Sequence, residues 1–409
     1  MSALGVAFLA LLACLAAIVL LNWLAQHAAR RWSTVLASPE DRNNQLNRKL
    51  REELVPLEYR ASWYDLASAD EQYAMWEEFY HGGNEFECYT HFRHRPSTGK
   101  YVGVTSAGYR LCKNPGPWPP SPKSFNVFFF GGSTAFGVGP YWATIASYFQ
   151  EIANQSGAFD RPVHVYNFGR SGYQSTQETV LFGRLLAEGA KCNMVIFFDG
   201  LNDFCFFDGK PSQWHALDHY FNESNRNYRE MMAGYGITTP WNKLADFMTS
   251  LPLVRIAAAL ASRYQAPVVQ AEVSEDSLAP DRIEDESILS CVVRRYVENM
   301  RQVKALAQAD GIVPVFVWQP SPIYRYDKRL HLFMPKRFGP HINSTVGYPM
   351  VMEAMKEKPL GSSFIWAADM QIGATECLYV DSFHYTAPMC RRIAQFIFQE
   401  IQDRDLIAK

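Results

Sequence analysis

Four short phrases in this 409-residue chain carry the side chains needed to cleave an ester: Gly131-Gly132-Ser133-Thr134, Asn167-Phe168-Gly169-Arg170-Ser171-Gly172, Asp199-Gly200-Leu201-Asn202-Asp203 and Asp381-Ser382-Phe383-His384. A serine hydroxyl attacks a carbonyl only when a neighbouring base takes its proton. His384 suits that role, because imidazole titrates near neutrality and can accept a proton and return it. Asp381 lies three residues earlier. One turn can therefore hold its carboxylate against the ring, orienting it and stabilising the imidazolium that forms. The oxyanion on the attacked carbonyl needs donors already in place. The backbone N–H groups of Ser133 and Gly172 and the side-chain amide of Asn202 are of the right type. Gly169 is a second glycine in the same phrase, and the spacing from Asn167 favours Gly172. Taken singly, each phrase is ordinary: Gly-Gly-Ser is a common loop, Gly-x-Asn-Asp a common turn, and Asp-x-x-His a common cap.

What raises them above the ordinary is the position of each against the elements around it. Phe125–Phe130 reads as a short buried strand running straight into Gly131-Gly132. Val163–Phe168 is a second strand and Met194–Phe198 a third, each followed at once by one of the phrases. Residues 141–153 and Gln174–Glu188 are helical in period. Ile288, Val292, Tyr296, Met300, Val303 and Ala307 repeat at helical spacing until Gly311, Ile312–Trp318 is a fourth strand, and Ala387–Ile401 a terminal helix. Strands separated by helices imply a parallel sheet, right-handed crossovers and a three-layer α/β/α arrangement. In such sheets reactive groups collect at the carboxyl ends of the strands, which is where Ser133, Gly172 and Asn202 fall. Two stretches break the rhythm and read as insertions, at about 204–283 and 320–375. The first carries a helical pattern at Leu251–Arg263 and an acidic tract from Glu272 to Glu286; the second is rich in proline, tyrosine and basic groups.

The ends of the chain carry a different message. Ala3–Leu21 is an unbroken apolar run of about 28 Å at helical rise, close to the thickness of a bilayer's hydrocarbon layer. Trp23 and Trp32 sit where interfacial aromatics belong, and no basic segment precedes the run as in a cleaved signal peptide. Residues 1–32 therefore read as a single transmembrane anchor and a lipid bilayer as a partner. Arg30 and Arg31 by themselves favour keeping the following domain in the cytoplasm. Residues 33–120 read as a polar stalk, from Ser38 to Arg60, leading into an aromatic-rich subdomain too apolar to be a disordered linker. The proline-dense segment Asn114–Pro122 closes it, and residues 121–409 form the main domain.

Bulk properties narrow the function further. Apolar residues make up 48% of the chain and charged residues 20%, with a formal net charge of −2, so there is no basic field to gather nucleic acid. Of the eight cysteines, Cys14 lies in the apolar run. The other seven form no dense disulfide pattern: Cys88–Cys112 is a candidate bridge, and free thiols are the default. Cys88, His91 and His94 have part of the spacing of a metal site, but Arg93 and Arg95 interleave and no fourth ligand is evident, so neither a metal nor a cofactor is expected. Arg325, Lys328, Arg329, Lys336 and Arg337 form a basic patch that is either a solvated face or a contact for an anionic polymer or lipid headgroup. Gln319-Pro320, ending the fourth strand, can line the substrate cleft.

Taken together and in order, the phrases GGST, NFGRSG, DGLND and DSFH resemble the four blocks of the SGNH/GDSL hydrolase superfamily, in its membrane-anchored branch, across roughly residues 125–390. The resemblance implies a flavodoxin-like domain, ester chemistry without metal, Ser133 as nucleophile with Asp381 and His384, Gly172 and Asn202 in the oxyanion hole, and a catalytic domain on the extracytoplasmic side. The usual Gly-Asp-Ser is here Gly-Gly-Ser, which touches subclass rather than chemistry, and some members of the superfamily work with a Ser-His dyad. The G-x-S-x-G elbow of α/β-hydrolases is absent, since Thr134-Ala135 follows the serine. The expected function is a serine esterase or O-acyltransferase acting on acylated carbohydrate or another acylated envelope molecule. Two alternatives stand beside it: a lipase or lysophospholipase at the membrane surface, and a non-catalytic subunit using the same scaffold to bind a glycan or a membrane-protein partner.

Overall fold

The computed structural model describes residues 57–205, 283–333 and 338–407. The apolar run Ala3–Leu21, most of the stalk, the insertion from residue 206 to 282, with most of its acidic tract, and Lys336 and Arg337 lie outside them. Among the described residues no helix is long and apolar enough to cross a membrane.

The chain begins with α1 (Leu57–Trp63) and α2 (Ala69–His81), then a hairpin of β1 (Asn84–Glu87) and β2 (His91–His94). A five-stranded parallel sheet follows, made of β3 (Phe125–Gly131), β4 (Val163–Asn167), β5 (Met194–Asp199), β6 (Val313–Trp318) and β7 (Phe364–Trp366). Its order is β4-β3-β5-β6-β7, the doubly wound flavodoxin-like pattern, which reverses direction between β3 and β5. Interleaved are α3 (Ser133–Phe136), α4 (Ile145–Ser156), α5 (Ser175–Ala187), α6 (Leu201–Cys205), α7 (Glu286–Ala309), α8 (Ser344–Lys356) and α9 (Ala387–Asp403).

Strand alternation builds the three layers. Val127 and Phe129, Ile196 and Phe198, and Val315 and Val317 point to one face, where α4 and α9 cover them through Ile145, Phe149, Ile393 and Ile397. Phe128 and Phe130, Val195 and Phe197, and Phe316 and Trp318 point to the other, under Phe182, Tyr296, Met300 and Tyr348 of α5, α7 and α8. Because both faces are covered, β3 and β5 are buried at every position, which explains their continuous apolar run rather than an alternating one. Each such side chain removed from water contributes about 1.5–3 kcal/mol before entropy is subtracted. The helix ends follow local chemistry: Thr144 caps α4 by accepting from Ser147 N–H at 3.2 Å, and Thr386 caps α9 by accepting from Met389 N–H at 3.3 Å.

The stretch 320–375, read from the sequence as an insertion, contributes the fifth strand and the helix before it. Two features hide them: β7 has only three residues, and α8 carries Pro349 in its interior, where proline argues against a helix. The aromatic-rich segment is an ordered unit packed on the main domain, its Tyr64, Trp76, Tyr101 and Val104 sharing a cluster with Phe136 of α3 and with Val380. Cys88 is exposed, Cys112 is buried, and all seven described cysteines are free thiols, so the candidate Cys88–Cys112 bridge is not formed. Of the basic patch, Arg325 is paired with Asp369 at 3.2 Å and Arg329 with Asp327 at 2.6 Å, both at the surface.

Candidate active site

Ser133 follows β3 directly. It is the half-buried first residue of α3, so its N–H has no acceptor within the helix. The turn is tied down at its far end: Asn167 Nδ2 donates to the Ala135 carbonyl at 3.0 Å, and the buried Arg110 donates to the carbonyls of Phe136 (2.6 Å), Gly137 and Gly139. Asn202 comes from the end of β5, the strand beside β3 across the point where the strand order reverses. Its Nδ2 donates one hydrogen to the Tyr173 carbonyl at 2.7 Å, which leaves the second for another acceptor. A Cβ on residue 132 would lie 2.2 Å from this Nδ2, so only glycine there lets the amide approach the backbone immediately before Ser133.

The two glycines after β4 have different tasks. Gly169 donates its N–H to Asn167 Oδ1 at 2.9 Å and is thereby occupied. Gly172 takes a positive φ of 75° and its N–H meets no acceptor among the described residues. Of the pair left open by spacing, Gly172 alone offers a free donor.

Asp381 and His384 are brought together. His384 Nδ1 lies 2.9 and 2.8 Å from the two carboxylate oxygens of Asp381, and Asp381 Oδ1 also accepts from the N–H groups of Phe383 and His384 at 2.9 and 2.8 Å. The carboxylate thus closes the turn and orients the ring at once. Nε2 of His384 is buried and makes no hydrogen bond among the described residues, to Ser133 or to any other group. The Ser133 turn and the His384 turn meet through Gln319: its Oε1 accepts from Thr134 Oγ1 at 2.7 Å and from Tyr385 Oη at 3.2 Å. Gln319, singled out as a cleft residue, is the bridge between residues adjacent to Ser133 and to His384.

Two further histidines flank the Asp381 turn, neither of them marked by its neighbours in the chain. His331 stacks flat on Tyr379 at 5.1 Å and reaches the Ser382 carbonyl at 3.4 Å. His341 lies 4.1 Å from the Phe383 ring, with Nε2 3.2 Å from Cys205 Sγ. Burial, helped by the nearby His384, pushes His341 down to about 4, so it is neutral at physiological pH. Cys88, His91 and His94 are not gathered around a common point, and no trio of His, Cys, Asp or Glu among the described residues is arranged to hold a metal.

No family model and no curated protein matches the chain. Solved structures that resemble it include a putative lipolytic protein of the G-D-S-L family from Desulfitobacterium hafniense (TM-score 0.33, 11% identity, 67% of this chain and 98% of that one). A psychrotrophic esterase from Pseudoalteromonas (0.34, 11%, 68% and 97%) and an acetylxylan esterase from Geobacillus stearothermophilus (0.34, 13%, 68% and 94%) are similar to the same extent.

Proposed function

We propose that the protein is a serine esterase or O-acyltransferase, with Ser133 as nucleophile, His384 as base, Asp381 as its partner, and Gly172 and Asn202 as oxyanion donors beside the Ser133 N–H. The observation that carries this reading is the imidazole of His384, with Nδ1 fixed by Asp381 and Nε2 left without a partner among the described residues, on a turn whose Tyr385 shares Gln319 with Thr134, the neighbour of Ser133. Ser133 Oγ attacks the acyl carbonyl and gives its proton to His384 Nε2. The carbonyl electrons move onto oxygen, facing the three donors, and Asp381 stabilises the imidazolium. Collapse of the tetrahedral adduct breaks the ester bond, and the departing alcohol takes the proton from Nε2. Water, or a hydroxyl of an acceptor, then attacks the acyl-enzyme with His384 again as base. Hydrolysis and transfer use the same groups. Acylated carbohydrate or another acylated envelope molecule is the substrate class favoured by the four-phrase resemblance to SGNH/GDSL hydrolases. The apolar run Ala3–Leu21 supports anchoring to a bilayer, with the catalytic domain proposed to face away from the cytoplasm.

A fluorophosphonate probe tests the nucleophile. Wild-type protein is expected to be labelled and to turn over p-nitrophenyl acetate, and Ser133→Ala to lose labelling and at least about a thousandfold in kcat. Equal labelling of the two proteins defeats the assignment of Ser133. Protease accessibility in intact cells decides the side of the membrane.

A further inference from the structure

The loop that carries Gly172 is held by the hairpin β1–β2. Arg170, buried, pairs with Glu87 and donates to Tyr173 Oη at 2.8 Å, while Tyr173 Oη donates to the carbonyl of Thr90 at 3.0 Å. The next residue is held by His94, the last of β2. Ser171 N–H donates to His94 Nε2 at 3.3 Å, and the Ser171 hydroxyl lies 3.4 Å from the same nitrogen. The ring of His94 also stacks on Phe136, with centroids 4.0 Å apart and planes 28° from parallel. Phe136 closes the helical turn that Ser133 opens. One side chain therefore touches both the turn of the nucleophile and the loop of the proposed oxyanion donor. Burial, with the charges of Arg170 and Arg110, holds His94 down to about 3. The ring is neutral, and a neutral ring that accepts at Nε2 carries its hydrogen on Nδ1.

Resting on the esterase reading, we propose that His94 is a positioning residue that sets the Gly172 N–H relative to Ser133, its ring face registering Phe136 and its Nε2 lone pair registering Ser171. A purely space-filling role needs the ring alone, and any aromatic side chain would serve it. The acceptor matters because the Ser171 N–H it binds belongs to the Arg170–Ser171 peptide, one unit before the peptide that bears the Gly172 N–H, so holding it keeps the left-handed turn at Gly172 (φ 75°) in place. Misplacing a catalytic group by about 1 Å costs on the order of a hundredfold in rate.

The test compares His94→Phe, which keeps a stacking ring without the acceptor, with His94→Gln, whose Oε1 restores an acceptor, both in the full chain. The readouts are p-nitrophenyl acetate kinetics and amide hydrogen exchange. His94→Phe is expected to lower kcat by about 10- to 100-fold with KM nearly unchanged, and to speed exchange at Ser171 while β3 stays protected. His94→Gln is expected to recover most of both effects. Wild-type kcat in His94→Phe, or a lowered kcat with unaltered Ser171 exchange, overturns the proposal. Should His94→Phe fail to fold, His94→Gln against His94→Met poses the same question. A wild-type protein without turnover defeats the esterase reading, and with it a catalytic purpose for His94, while the exchange rates still decide whether His94 holds the loop.

Discussion

The loops that bear Gly172 and Asn202 lean on buried acids, a single one under the first and a pair beside the second, and these are neutralised in opposite ways. Beneath the Gly172 loop, Glu87 faces a guanidinium: Arg170 contacts one carboxylate oxygen, and Arg184 the other at 3.0 Å. Burial alone would raise Glu87, but the charge and hydrogen bonds of Arg170, with Thr90 and Arg184, outweigh it and lower the carboxyl below its ordinary range. Before the Asn202 loop, Asp199 and Glu178 are buried with no cation paired to them among the described residues. Burial, and then the charge of neighbouring acids, raises both. Their oxygens have no partner when both are read as ionised, yet the two groups lie within hydrogen-bonding reach of each other. A proton held between them resolves the conflict: one carboxyl donates to the other. Asp203 is also raised by burial, while Ser175 Oγ donates to its Oδ1 at 2.6 Å. The contrast shows that one site can be built on an ion pair and on a shared proton at once, and that the two fail at opposite ends of the pH scale.

The largest effect is expected at the ion pair. Glu87→Gln leaves the Arg170 guanidinium buried without its carboxylate and should cost about 3–5 kcal/mol in urea denaturation. A cost as small as that of a surface substitution would erase the contrast. Next comes the direction of the pH response. The folded-state value of Glu87 is depressed, so its contribution is present above the ordinary carboxylate range and lost as pH falls through the lowered value. Those of Glu178 and Asp199 are elevated, so their contribution is full below the ordinary range and lost as pH rises through the raised values. Thermal midpoints of the wild type should therefore fall on both sides. Glu178→Gln, which offers an amide donor to Asp199 without a proton to lose, should raise the midpoint at pH 9 relative to wild type and flatten the alkaline side; a decline as steep as in wild type would exclude the shared proton. The smallest effect is expected where solvent replaces burial: breaking the exposed Asp327–Arg329 pair with Arg329→Ala should leave the midpoint within error at every pH.

Much of this architecture could be read before any coordinates. FNVFFF, VHVYNF, MVIFF and IVPVFVW are mostly apolar without alternating, because both sheet faces are covered, and the chemistry follows three of them directly, so strands and candidate residues announced each other. The Asp381–His384 contact was legible because three residues of spacing suffice for one turn. The rest was not local. Arg110, Glu87 and His94 act on residues 26 to 97 positions away, and in an aromatic-rich segment a lone arginine or histidine carries no sign of what it will touch. Glu178 sits in the middle of a helix whose pattern reads as amphipathic, and only tertiary packing reveals that its carboxyl is sealed from water. β7 is too short to show a period.

Arg110 sets a rule for anyone wishing to trim this protein. Its guanidinium satisfies three carbonyls at the end of the Ser133 turn and lies 4.5 Å from the centre of the Phe136 ring, yet it belongs to the segment that precedes the proline-dense boundary. Cutting the chain at that boundary, the natural place to seek a minimal domain, would discard the clamp along with the aromatic segment, and the Ser133 turn would lose the three hydrogen bonds that Arg110 supplies. The smallest useful fragment therefore starts well upstream of the sheet.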